Sequence, residues 1–194
     1  SGVGTPILAS GQMKFSPDGK KLAVASGKSS GTPFGSYKSI QLFDFNASSG
    51  ILSNLVWFEY RHPFFPENIE FSPDCRYLYV SVNSNGFCSP TESQIRQYNL
   101  GRWDSNSIKG SEKVIATLPR SLGRFQLASN GKIYVGGRTS GCDENDFISV
   151  INEANLGGDN CQFTANAISL TPGKIWDGLP NFVQSDLAIN FKIN

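Results

Sequence analysis

Phe15-Ser16-Pro17-Asp18-Gly19-Lys20-Lys21-Leu22-Ala23-Val24 recurs 56 positions later as Phe71-Ser72-Pro73-Asp74-Cys75-Arg76-Tyr77-Leu78-Tyr79-Val80. After a further 56 positions it returns as Leu127-Ala128-Ser129-Asn130-Gly131-Lys132-Ile133-Tyr134-Val135. Each copy is a tight turn between two short strands: proline presets φ, aspartate or asparagine bonds its own backbone, and glycine takes a positive φ without steric cost. The same step reaches Gln184, inside Pro180-Asn181-Phe182-Val183-Gln184-Ser185-Asp186, and the alternating Leu187-Ala188-Ile189-Asn190-Phe191-Lys192 follows. A fourth copy therefore begins there.

Outward from each turn, the alternation of apolar and polar residues predicts four strands per repeat. In the first they fall near Gln12–Ser16, Lys20–Ser26, Lys38–Phe45 and Leu52–Glu59; the second and third repeats carry equivalent sets. Four antiparallel strands at this period make a propeller blade. The expected fold is all-β, a β-propeller with complete blades at about 10–61, 66–119 and 122–171 and a partial one at 180–194. Val3–Leu8 sits where the outer strand of a preceding blade belongs. Three blades do not close a ring, since propellers have about four to eight. Either the N-terminal and C-terminal strands share a fourth blade in a very small ring or, the favoured reading, the chain is the C-terminal half of a larger propeller, with the other half in the same or another chain.

Composition narrows the function classes. Seventeen basic and sixteen acidic residues leave a formal charge of +1, without the basic excess that phosphate backbones or anionic membranes require. Nucleic acid is excluded as a partner. No apolar run of about 18 residues is present, so membrane insertion is not expected, and the first residues do not read as an export signal. With four cysteines, no CxxC spacing and one histidine, disulfides are a better reading than zinc. Cys142 and Cys161 flank a single strand with loop on both sides and form the favoured pair; Cys88 with Cys142 is the rival, and Cys75 is left unpaired.

The repeated turns, together with Leu42-Phe43-Asp44-Phe45-Asn46-Ala47-Ser48-Ser49-Gly50, Ser149-Val150-Ile151-Asn152 and Gly178-Leu179-Pro180-Asn181-Phe182-Val183-Gln184-Ser185, resemble a known family. It is the β-propeller region of large cell-surface and secreted proteins of Bacteroidota, many of them exported by type IX secretion. The resemblance implies a secreted or surface location and supplies no catalytic residues.

The candidate sites lie on loops. Asp18, Asp74 and Asn130 share one turn position and read as turn formers. His62 lacks the context of a general base, and Asp143, Glu144 and Asp146 lack the spacing of a calcium loop. No metal or other cofactor is expected. In a blade, the loop between strands two and three and the loop into the next blade emerge on one face, and these are the long ones here. Phe34, Tyr37, His62, Phe87, Arg120, Arg138 and Asp143 fall on them and form the candidate binding face. The reading is a non-catalytic extracellular module that recognises a protein or polysaccharide. A structural subunit of a surface filament or secretion complex is one alternative, and a lactonase-like propeller enzyme is another.

Overall fold

The computed structural model describes residues 12–27, 38–60, 64–84, 92–139, 143–176 and 178–179. The first sheet runs β1 (Met13–Phe15), β2 (Lys21–Gly27), β3 (Lys38–Asn46), β4 (Ile51–Glu59), in that spatial order. The second runs β5 (Phe64–Phe71), β6 (Tyr77–Ser84), β7 (Ser93–Asn99), β8 (Lys113–Leu118), and the third β9 (Leu122–Leu127), β10 (Ile133–Gly137), β11 (Phe147–Ile151), β12 (Phe163–Ser169). Each is an antiparallel meander, and β1 lies against β5 and β5 against β9, so the sheets stack as propeller blades around their first strands. The expected strand at 3–8 and the partial blade at 180–194 lie outside the described residues.

The recurring turn forms as its residues dictate. Asp18 accepts from the Ser16 hydroxyl at 2.6 Å and the Lys20 N–H at 3.1 Å. Asp74 repeats this with Ser72 at 2.6 Å and Arg76 at 3.1 Å, and Asn130 takes the Lys132 N–H at 3.1 Å. The next residue has φ of 68° at Gly19, 61° at Cys75 and 78° at Gly131. Cys75 therefore occupies a glycine position. A left-handed conformation costs a residue with a β-carbon about 1–2 kcal/mol, part of which glycine returns as unfolded-chain entropy. Cys75→Gly is expected to raise stability by roughly 0.5 kcal/mol, read as a higher urea midpoint; an unchanged or lower midpoint would show that thiol packing compensates.

Alternation assigns the two faces of each blade. Ala23, Ile40, Leu42 and Phe58 of the first blade pack on Ile69, Phe71, Leu78 and Tyr98 of the second. The other side of the second blade, through Tyr79 and Ile95, meets Phe125, Leu127, Ile133 and Val135 of the third. Met13 and Phe15 are the first-blade counterparts of Ile69 and Phe71, yet they are 56% and 46% exposed where the latter are 0%.

The third and fourth strands are joined differently in each blade. The first has a four-residue turn, Ala47 to Gly50. In the second the connection contains a short helix, α1 (Ser105–Gly110), whose first turn is capped by the Asp104 carboxylate accepting the Ser107 N–H at 2.8 Å. The third contains a 3-10 turn, Gly158–Cys161. Both folded connections reach back over the preceding blade. Trp103 Nε1 donates to the Asn54 carbonyl at 2.9 Å, the Ser105 hydroxyl to Trp57 O at 2.7 Å, and Lys109 Nζ to Glu59 O at 3.2 Å. One blade further on, the Gly158 N–H donates to Gln97 Oε1 at 2.8 Å, Gln97 Nε2 to Leu156 O at 2.8 Å, and the Tyr79 hydroxyl to Ala154 O at 3.0 Å.

This packing corrects the expected disulfide. Cys161 is a free thiol with no exposed surface, because the 3-10 turn swings its side chain into the core beside Tyr79 instead of toward the loops. Cys142 lies outside the described residues, and Cys75 is also free. Burial pushes the Cys75 thiol up to about 11, so at neutral pH it is not a reactive thiolate.

Candidate functional site: axis and loop rim

The first strands of the blades bring three residues at one repeat position together: Lys14, Glu70 and Gln126. Lys14 Nζ donates to Glu70 Oε2 at 2.9 Å and to Gln126 Oε1 at 3.1 Å. Glu70 Oε2 also accepts the Leu127 N–H at 3.0 Å, and its Oε1 the Phe71 N–H at 3.1 Å; Gln126 Nε2 donates to Leu127 O at 2.8 Å. Exposure is 7%, 0% and 4%, so this is a buried ion pair completed by an amide and by backbone. Around it, Gln12 Oε1 takes the Ile69 N–H at 2.9 Å and Asn83 Oδ1 the Leu122 N–H at 3.2 Å, each a bond from one blade to the next.

A second polar group lies between the first two blades. The Tyr60 and Tyr98 hydroxyls are hydrogen-bonded to each other, and Tyr98 donates to Glu112 Oε2 at 2.5 Å. Glu112 Oε1 accepts from Arg96 Nη1 at 2.8 Å, and the Arg96 guanidinium sits 4.7 Å from the Phe64 ring centroid. Burial holds both phenols protonated far above the ordinary value of 10.0, and Glu112 adds to this. Because the folded state resists losing these protons, their stabilisation is complete below pH 10 and declines as pH rises above it, by about 1.4 kcal/mol per pH unit for each such tyrosine. The urea midpoint is expected to fall steeply above pH 10, and less steeply in Tyr60→Phe. Equal slopes for both proteins would place that hydroxyl in water.

On the long-loop face, Phe34, Tyr37, His62 and Phe87 lie outside the described residues. Arg120 turns back onto the scaffold: its Nη1 donates to Asn166 Oδ1 at 2.7 Å and its Nη2 to Ser149 Oγ at 2.8 Å, tying the entry to the third blade onto β11 and β12. Arg138 is buried, bridges by backbone to Glu144, and lies 5.3 Å from the Trp176 ring centroid. Asp143 is exposed on the rim. Among the described residues, no three of His, Cys, Asp and Glu converge as metal ligands, so Asp143, Glu144 and Asp146 do not form such a site.

The Lys14, Glu70 and Gln126 cluster was not among the candidates drawn from the sequence. Their shared position in the 56-residue repeat was the signal that pointed to it.

No family model matches the chain. No curated protein matches it either. Among solved structures, one similar chain is an oligogalacturonate lyase in complex with manganese, 10% identical with a TM-score of 0.43, over 73% of this chain and 33% of that one. Another is the hydrazine synthase of Kuenenia stuttgartiensis, 16% identical with a TM-score of 0.31, over 71% and 44%. This chain thus spans less than half the length of either. The propeller-like fold rests on the order and register of its own three sheets.

Proposed function

We propose that the chain is a non-catalytic binding module, secreted or held at the cell surface, that recognises a protein or glycan through its long-loop face. The observation that carries this reading is the bolting of three blades into one rigid block by side chains crossing from blade to blade, among them Gln12, Lys14, Gln97 and Trp103. Such a block fixes the strand ends from which the long loops spring, which lowers the ordering cost of recognition. Arg120 and Arg138 serve as props for the rim, leaving Phe34, Tyr37, His62, Phe87 and Asp143 as the contact set. Further blades, from this polypeptide or another, complete the ring and share the rim.

The cluster at the axis does not support the lactonase-like alternative, because Lys14, Glu70 and Gln126 satisfy one another. The surface location follows from the family resemblance. The test is binding to isolated envelope proteins and glycans by the wild type and by Phe34→Ala/Tyr37→Ala/Phe87→Ala. Loss of binding in the triple variant with unchanged melting is the expected result; no binding by the wild type, or full binding by the variant, overturns the proposal.

One observation favours a second reading, a structural subunit of a surface filament. The outermost strand β4, though clasped through the Asn54, Trp57 and Glu59 carbonyls, leaves the side chains of Ile51, Leu52, Leu55 and Trp57 between 42% and 61% exposed, an apolar patch that another chain can cover. Native mass measurement separates the two, since a filament subunit assembles on its own.

A further inference from the structure

The face that carries the short turns is not flat. The end of β7 and the start of β8 form the floor of a trough, with α1 at one end and the 3-10 turn Gly158–Cys161 at the other. It consists of two adjoining hollows of about 540 and 500 Å³, which share Asn99 and Ser111. That is the size range of small-ligand sites.

The groups that shape the floor are locked. Asn99 Oδ1 holds the Gly101 N–H at 2.8 Å, and the Ser111 hydroxyl donates to Ile108 O at 2.7 Å while accepting the Asn99 N–H at 2.8 Å. The groups on the walls are not. Among the described residues, the side chains of Asn106, Lys113 and Asp159 and the Tyr77 hydroxyl make no hydrogen bond or ion pair, although all line the trough. Gly157 keeps the tyrosine edge clear: a β-carbon there would stand 2.9 Å from the Tyr77 hydroxyl oxygen. Asn106, Lys113 and Asp159 are exposed and Tyr77 is half-buried, so a rigid floor sits beneath solvent-facing polar groups that can exchange water for a polar ligand.

The chemistry of the walls selects among ligands. The exposed Val114 and the Tyr77 ring give the trough a shallow apolar patch, suited to the C–H face of a sugar. Amide, hydroxyl and carboxylate groups in a row match vicinal hydroxyls. Two cations, Arg102 and Lys113, against the single anion Asp159 favour a ligand that carries carboxylates.

We infer that this trough binds an acidic oligosaccharide, with Lys113 and Arg102 taking its carboxylates and Asp159, Asn106 and Tyr77 its hydroxyls. It lies on the face opposite the loop rim and stands or falls separately from the rim reading.

The test is calorimetric titration with a short alginate oligomer, a chain of linked uronic acids, at low salt. A neutral glucan oligomer and a short polyglutamate serve as competing probes. Expected is saturable alginate binding that weakens with salt and drops at least about tenfold in Arg102→Ser/Lys113→Ser, the loss of charge-assisted bonds. Lys174→Ser, at an exposed lysine that lines neither hollow, is expected to leave it unchanged. Absence of alginate binding overturns the inference, as does equal binding in the double variant. Equal binding of polyglutamate reduces it to charge attraction, and equal binding of glucan removes the acidic requirement; either result overturns it too.

Discussion

Replacing Glu70 by alanine is expected to destabilise the chain by about 3–5 kcal/mol, the cost of leaving a buried ammonium without its counter-ion. Lys14 is 7% exposed, and its other bonded partner is the neutral Gln126 amide. The same substitution strips the Leu127 N–H of its acceptor, so the third blade loses its bond to the second at the axis. Removing both charges in Lys14→Met/Glu70→Gln is expected to cost less than the two single changes together, because a neutral pair needs no compensating charge. Urea unfolding of the four proteins at pH 7 gives the coupling directly. A cost below about 1 kcal/mol for Glu70→Ala would mean that Lys14 reaches water and the axis is wet.

Phe71→Ala is expected to cost about 3–5 kcal/mol, whereas its repeat counterpart Phe15→Ala is expected to cost under about 1 kcal/mol. Chemistry and position in the blade are the same, and only the surroundings differ. Phe71 is wholly enclosed between the first two blades, so its loss opens a cavity. Phe15 is 46% exposed and rests chiefly on Phe45, with ring centroids 4.7 Å apart. The pair therefore measures whether anything covers the open side of the first blade in solution. A difference smaller than about 1 kcal/mol would show that it is covered, as it would be when another blade completes the ring.

The strands and turns were legible because each depends on a few adjacent residues. Ser-Pro-Asp-Gly dictates its turn wherever it occurs, and the repeat placed even Cys75 on a glycine's conformation. Helix α1 was not legible: in Ser105–Gly110 only Ile108 is apolar, too little for a 3.6-residue period, and the helix is held by bonds to the neighbouring blade. Lys14, Glu70 and Gln126 each sit between apolar neighbours, which in a strand reads as a solvent-facing position; only the meeting of three strands makes that position interior. Arg120 was read as a rim residue, whereas its partners Ser149 and Asn166 lie 29 and 46 residues further on, a distance over which local pattern carries no information. The trough escaped notice for the same reason, since its walls come from two connections that alternation describes only as loop.

Trp103, Ser105 and Lys109 fasten β4 from 48 to 50 residues downstream, and Gly158 fastens Gln97 from 61 downstream. During synthesis, then, the first blade is complete in sequence before its clasp has left the ribosome. At roughly 5–20 residues per second, the interval lasts several seconds. For that time β4 presents Leu55 and Trp57 on an unpaired edge, the condition in which nascent chains are most apt to stick to one another or to engage a chaperone. Closure then passes from blade to blade in the direction of translation, each one secured by its successor.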